Sequence, residues 1–160
     1  MIRIVTLLII AALVGVDQLI KYSVTSNLEV GEGCWQIPHF AEIRYCRNYG
    51  GMMGTFDNMS KVLAVVTVII IAVGLGAIVF KKIKFGFIYV CVTMILAGGI
   101  GNLIDRLALG YVIDYINVLF VDFYIFNFAD CLVTVGAFLL IFYEIYEIVK
   151  ESRQKRNSDA

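Results

Sequence analysis

The sequence predicts an all-α membrane protein: four transmembrane helices, a small β-rich element outside the membrane, and a short amphipathic segment on the same side. Three observations point there. Hydrophobic side chains make up 61% of the 160 residues and charged ones 16%, against roughly 45–50% and 25% in a soluble domain. Two uncharged apolar runs, residues 62–80 and 85–104, each have the length a helix needs to cross about 30 Å of hydrocarbon. Two further apolar stretches, near the two ends of the chain, complete an even number of crossings. The same composition excludes other classes. Thirteen Lys+Arg balance thirteen Asp+Glu, so no basic excess favours nucleic acid. A single Pro in so apolar a chain is not the composition of a disordered segment. Four Cys without a CxxC pair and one His give no metal-site signature, so neither metal nor cofactor is expected.

The first helix, about residues 4–26, is apolar from Ile4 to Val16 and then carries Asp17, Gln18 and Lys21. A cleaved signal peptide is the other reading of Arg3 followed by an apolar stretch. No small-x-small cleavage site follows that stretch, and the run from Asp17 to Lys21 sits awkwardly in one. The second and third helices are the uncharged runs. The fourth, about residues 124–148, is interrupted only by Asn127, Asp130, Glu144 and Glu147. Charged residues from Glu151 onward are expected to form a frayed end. With no internal repeat or linker, residues 1–160 read as one integral membrane domain.

Lys and Arg set the orientation. Arg3, Lys81, Lys82, Lys84, Lys150, Arg153, Lys155 and Arg156 fall on one side; Lys21, Arg44, Arg47, Lys61 and Arg106 fall on the other. The richer side is cytoplasmic, which places both termini there and the loops at about 27–61 and 105–123 outside. In the first loop, Glu42-Ile43-Arg44-Tyr45 alternates between Gly-rich stretches and predicts a strand or hairpin. In the second, residues 109–121 surround Asp114 with apolar side chains, which suggests a segment lying along the interface.

Ionisable groups at membrane depth are costly, so each is a functional candidate unless a partner explains it. Asp17 and Lys21 are spaced i, i+4 and can neutralise each other, a structural or positioning role. Asp105 and Arg106 fall at the end of the third helix, where they can cap it or reach headgroups and carboxylates. Gly98, Gly99 and Gly101 form a small-residue face suited to close helix packing. Asn127 and Asp130 belong to the first turns of the fourth helix, about 10 Å below its start. Asp114 and Asp130 differ from the rest, because neither has a basic residue within four positions. Two such carboxyl groups brought together raise one pKa and tend to hold one proton between them. That is the state of an aspartic-protease pair, although a proton or ion relay would use the same groups. Among the thiols, Cys91 reads as packing, Cys131 points away from Asp130, and Cys34 and Cys46 could pair in an oxidising space.

Asp17-Gln18-x-x-Lys21, Asn48-x-Gly50, Gly101-Asn102-x-x-Asp105-Arg106, Val112-x-Asp114-Tyr115 and Phe126-Asn127-x-Ala129-Asp130 occur in this order in lipoprotein signal peptidases (signal peptidase II), and the chain resembles that family from its first helix to its fourth. The resemblance implies an aspartyl endopeptidase of the bacterial inner membrane. Such an enzyme removes the signal peptide of a prolipoprotein just before a cysteine that carries diacylglycerol in the lipobox. It implies catalytic roles for Asp114 and Asp130, and substrate binding for Asn48, Asn102, Arg106 and Asn127. Asp17, Lys21, Asp105, Gly50 and Gly101 would hold or position these. It also implies a β-rich cradle lying on the membrane lipids, inhibition by globomycin-like cyclic peptides, and a monomer. Met52-Met53 depart from the small residue and aromatic usual after Asn48-x-Gly50; Tyr115 and Cys131 are smaller departures. The rival reading, a small proton-coupled transporter, predicts acids near mid-membrane.

Overall fold

The computed structural model describes residues 2–50, 59–80, 83 and 85–158. The chain runs α1 (Ile2–Asn27), β1 (Gly33–Ile37), β2 (Ala41–Asn48), α2 (Met59–Val79), α3 (Phe87–Leu109), β3 (Val112–Val118) and α4 (Phe128–Ser158). All four helices are long and apolar enough to cross a membrane. Their outward faces carry Leu, Ile, Val and Phe exposed to the surroundings, as lipid rather than water requires. Buried Ile10, Ile78, Tyr89, Leu96, Ala97 and Leu132 join the four helices in one core. The basic cluster Lys81-Lys82-Lys84 and the pair Met52-Met53 lie outside the described residues.

Helix α3 is the hub, packed on each of the other three. A side chain at Gly98 would collide with the Ala129 carbonyl oxygen of α4, and a Cβ at Gly101 would stand 2.6 Å from Asp17 Oδ2. Glycine at these two positions is therefore what lets α4 and the Asp17 carboxylate approach the α3 backbone. The helix continues past the expected residue 104, so Asp105 and Arg106 belong to its last turn rather than to a loop. It ends at Gly110, which takes a left-handed conformation and donates its N–H to the Arg106 carbonyl, the usual helix stop.

The expected hairpin is present and larger than its alternation suggested: β1, β2 and β3 form an antiparallel sheet in that order. The segment expected to lie along the interface is its third strand. Val112, Ile113, Ile116 and Val118 are β-branched, which suits a strand, but β3 is buried on both faces through Tyr115. A strand buried on both sides loses the period-two signature. Register shifts mark bulges at Trp35 in β1 and opposite Tyr115 in β2. Tyr45, Ile113 and Tyr115 pack one face of the sheet onto Val24 of α1. Asp114 is on the other face, beside Cys46 and Asn48.

Helix α4 begins later than expected. Phe126 instead pairs with Ile116 of β3 as an isolated bridge, which folds the chain back so that α4 starts against the sheet. Asn127 and Asp130 therefore stand at the head of this helix, not some turns below it. The helix also runs on to Ser158 rather than fraying at Glu151. The tail residues include strong helix formers, and Lys155 and Arg156 in the last turn oppose the helix dipole.

Candidate active site

Two clusters of polar side chains meet where α1 and α3 end and α4 begins, the charged groups of the first almost fully buried, the second open in part at Asn48 and Asp130. The first is ionic. Lys21 Nζ lies 2.9 Å from Asp17 Oδ2 and 2.9 Å from Asp105 Oδ2, with all three side chains almost fully buried. Gln18 Nε2 bridges Asp17 Oδ2, Asp105 Oδ1 and the Gly101 carbonyl at 3.0–3.2 Å. The expected Asp17–Lys21 pair is thus a triad, and Asp105 belongs to it rather than serving as a helix cap. Both acids also hold backbone. Asp105 Oδ2 accepts the N–H of Ile113, and Asp17 Oδ1 that of Ala129. Those residues immediately precede Asp114 and Asp130.

The second cluster contains Asp114 and Asp130, bound by neutral donors. Asp114 Oδ1 accepts from Asn127 Nδ2 at 2.6 Å and its Oδ2 from Asn48 Nδ2 at 2.9 Å. Asp130 Oδ1 accepts from Asn102 Nδ2 at 2.7 Å and its Oδ2 from the Asn127 N–H at 3.1 Å. Each of the four carboxylate oxygens thus takes one N–H, and the two carboxyl groups are joined through amides rather than through a direct hydrogen bond. No ion pair reaches either acid among the described residues. Burial, helped by the Asp130 charge, pushes the Asp114 carboxyl up to about 6 against the pull of the Asn48 and Asn127 hydrogen bonds. The neighbouring Cys46 thiol is pushed up as well, first by burial and then by Asp114.

The start of α4 is fastened by side chains from three directions. Asn127 Oδ1 accepts the Asp130 N–H while Asp130 Oδ2 accepts the Asn127 N–H, a reciprocal cap of the capping-box kind. The Phe128 N–H donates to the Tyr115 hydroxyl, and Ala129 to Asp17. All four N–H groups at this helix start therefore find acceptors. The two site acids are 16 positions apart in sequence, and this cap together with the Ile116–Phe126 bridge is what holds them side by side.

A cavity of about 220 Å³ opens beside Asp130, lined by Asn102, Arg106, Thr67, Ile71 and Val133. Arg106 Nε is buried there without a hydrogen-bond partner among the described residues, so a donor is available to an occupant. Asn48 is oriented by the Gly50 N–H, which donates to its Oδ1 at 2.8 Å; Gly50 has a φ of 84°, which glycine adopts without strain. Of the predicted site residues, Asp17, Lys21, Asp105 and Gly101 meet in the first cluster and Asn48, Asn102, Asp114, Asn127 and Asp130 in the second, while Gly50 orients Asn48 and Arg106 lines the cavity. Sequence reasoning missed Gln18 and Tyr115 as members. For the cap a signal existed, since Asn-x-x-Asp before an apolar run is a helix-start pattern. Cys34 and Cys46 are free thiols, Cys34 being paired with Ile43 and Cys46 with Asp114, so the possible disulfide is not formed. Among the described residues no three His, Cys, Asp or Glu side chains gather to hold a metal ion.

The model of the family described as Signal peptidase (SPase) II matches residues 9–146. The chain belongs to the signal peptidase II family. The peptidase is 37% identical over 132 residues to a lipoprotein signal peptidase of Streptococcus thermophilus, covering 82% of this chain and 86% of that one. To that of Enterococcus faecalis it is 35% identical over 154 residues, covering 96% and 95%. A solved structure described as a bacterial membrane enzyme superposes with a TM-score of 0.80 at 30% identity, covering 90% of this chain and 89% of the other. A second with the same description gives 0.78 at 31% identity. With its four apolar helices, the peptidase is a multi-pass protein of the bacterial inner membrane.

Proposed function

We propose that the peptidase is an aspartic endopeptidase that cleaves the signal peptide from diacylglyceryl-modified prolipoproteins, on the N-terminal side of the lipidated cysteine, with Asp114 and Asp130 as its catalytic residues. One observation carries this reading: a buried and a half-buried carboxyl group share a cluster of amides, the second borders a cavity, and neither has an ion-paired base among the described residues. Desolvated in this way, the pair favours holding a proton. In this reading Asp114 holds the proton, and Asp130, which borders the cavity, is ionised.

Asp130 takes a proton from a water whose oxygen forms the new bond to the scissile carbonyl carbon. The Asp114 hydroxyl donates to the carbonyl oxygen as negative charge develops there. When the carbon–nitrogen bond breaks, Asp130 returns its proton to the leaving amine, and Asp114 regains its starting state. Peptide and water are consumed, and an acid and an amine are released. Asn48, Asn102 and Asn127 hold the carboxyl groups in orientation. Arg106 directs its free N–H to a substrate oxygen in the cavity.

The Lys and Arg distribution supports cytoplasmic termini and a site near the outer face. There a lipidated cysteine sits between acyl chains and headgroups. Membrane lipids surround the monomer, and globomycin-like cyclic peptides would occupy the cavity. A transporter would need its acids near mid-membrane, whereas these cluster at one end of the bundle. The test is incubation with a diacylglyceryl-modified prolipoprotein in micelles, with unlipidated precursor alongside. Cleavage of the lipidated form alone is expected. Cleavage of neither form, together with proton uptake in liposomes, would overturn the proposal.

A further inference from the structure

We infer that Lys21 is a positioning residue of the reaction: its ammonium dictates which end of the Asn102 amide faces Asp130, and so directs the hydrogen-bond chain that serves both site acids. This inference rests on the aspartic reading above.

The three site asparagines differ in what orients them. Asn48 Oδ1 accepts the Gly50 N–H, and Asn127 Oδ1 accepts the Asp130 N–H. Backbone therefore fixes both, because a backbone N–H has only one sense. Asn102 has a different arrangement. Its Oδ1 accepts from Lys21 Nζ at 2.9 Å and from Asn127 Nδ2 at 3.1 Å, leaving its Nδ2 for Asp130 Oδ1 at 2.7 Å. An ammonium has three donors and no acceptor. While Lys21 is present, the amide oxygen must face it, and the amide nitrogen must face Asp130.

Without Lys21 the amide loses its charged director, and only the longer Asn127 Nδ2 contact, at 3.1 Å, still favours the same sense. A half-turn of the Asn102 side chain would present oxygen to Asp130, and that contact is favourable only if Asp130 carries a proton. The proton would then sit on the residue that must accept one from water. The donors to Asp114 come from Asn127 and Asn48, which backbone orients, so the change falls on Asp130. The Lys21 charge also eases ionisation of Asp114. The charged and titratable groups around this chain are Asp17 on α1, Asp105 and Arg106 on α3, Asp114, Tyr115 and Cys46 on the sheet, and Asp130 and Cys131 on α4.

A purely structural lysine would matter only as counter-ion to Asp17 and Asp105. The double variant Lys21→Met/Asp105→Asn separates the two roles, because it removes one positive and one negative charge and keeps the net charge of the triad. In micelles with lipidated precursor, kcat should fall about 10- to 100-fold, as for loss of a group that orients a ligand-bearing side chain. KM should change less than threefold. The acid limb of the pH profile should move up by about one pH unit. Lys21→Arg, still a donor only, should keep that limb in place.

If the double variant turns over within threefold of the parent and its acid limb is unmoved, Lys21 is a counter-ion and the inference is overturned. Should the double variant fail to fold, Lys21→Met/Asp17→Asn, which also removes the donor and keeps the net charge, is read in the same way: an acid limb shifted upward supports the inference, an unmoved one overturns it. Asp114→Asn and Asp130→Asn run alongside. Turnover surviving in those would sink the aspartic reading itself, a result distinct from an unmoved limb in the Lys21 variants.

Discussion

The ionic triad and the Asp114–Asp130 pair adjoin and share Asn102 as a neighbour; the triad and Asp114 are almost fully buried, Asp130 half-buried. They nevertheless do different things. In the triad, a lysine contacts both Asp17 and Asp105, and each acid also accepts a backbone N–H, from β3 or α4. In the pair, the partners are amides and one backbone N–H, which orient the carboxyl groups without cancelling their charge. Burial then acts on the second set as a proton trap and on the first as a clamp. Buried acid is not a sufficient mark of chemistry; a buried acid without an ion-paired base is the informative one.

The sharpest way to break this contrast is to neutralise one acid of each cluster. Asp114→Asn and Asp130→Asn should each lower turnover of lipidated precursor by at least about 10³-fold, the scale of a lost acid or base, while the protein still inserts and purifies. Asn127→Ala touches the pair and the head of α4 together. Its turnover should fall roughly 100-fold, and loss of the cap should cost about 1–2 kcal/mol of stability, seen as a lower Tm; unchanged Tm would mean the cap is dispensable. Asp17→Asn addresses the triad alone. There the larger loss should be in stability, about 3 kcal/mol for a broken buried pair, with part of the activity retained. Normal Tm with no turnover would move Asp17 from clamp to chemistry.

Smaller effects sharpen the same contrast. Because burial lifts the Asp114 carboxyl to about 6, the folded state binds its proton more tightly than the unfolded one. That group favours folding at low pH, and the advantage is lost as pH rises from about 4 to about 6. Relative to the parent, Asp114→Asn should therefore gain up to about 3 kcal/mol across that window. A constant difference in unfolding midpoint would contradict the raised pKa. Smallest of all, Cys34→Ser lies outside both clusters. Its Tm and turnover should match the parent with and without reductant, because Cys34 and Cys46 are not bonded.

How much of this was legible beforehand varied from residue to residue. Asp114 and Asp130 stood out because no base is near them in sequence, and neither has an ion pair among the described residues. Asp17 and Lys21 were readable from their i, i+4 spacing. Asp105 was not assigned to them, because only the packing of α3 on α1 brings its carboxylate to Lys21. The strand around Asp114 was hidden by burial of both its faces. The start of α4 was misplaced because Tyr124 and Phe126 are as apolar as a helix requires, while the Asn127 cap that truncates it is a polar signal of only two residues.

Composition and periodicity determined four membrane crossings, the end of the bundle where the acids gather, and the residue types available there. These are local properties, set by the length of apolar runs and the cost of charge in hydrocarbon. Which acid pairs with a lysine and which with an amide was decided only by the fold. The bulged sheet, the Phe126 bridge and the approach of helices at Gly98 and Gly101 place groups from distant parts of the chain within 3 Å of one another, and hydrogen-bond direction at that range depends on every donor and acceptor present.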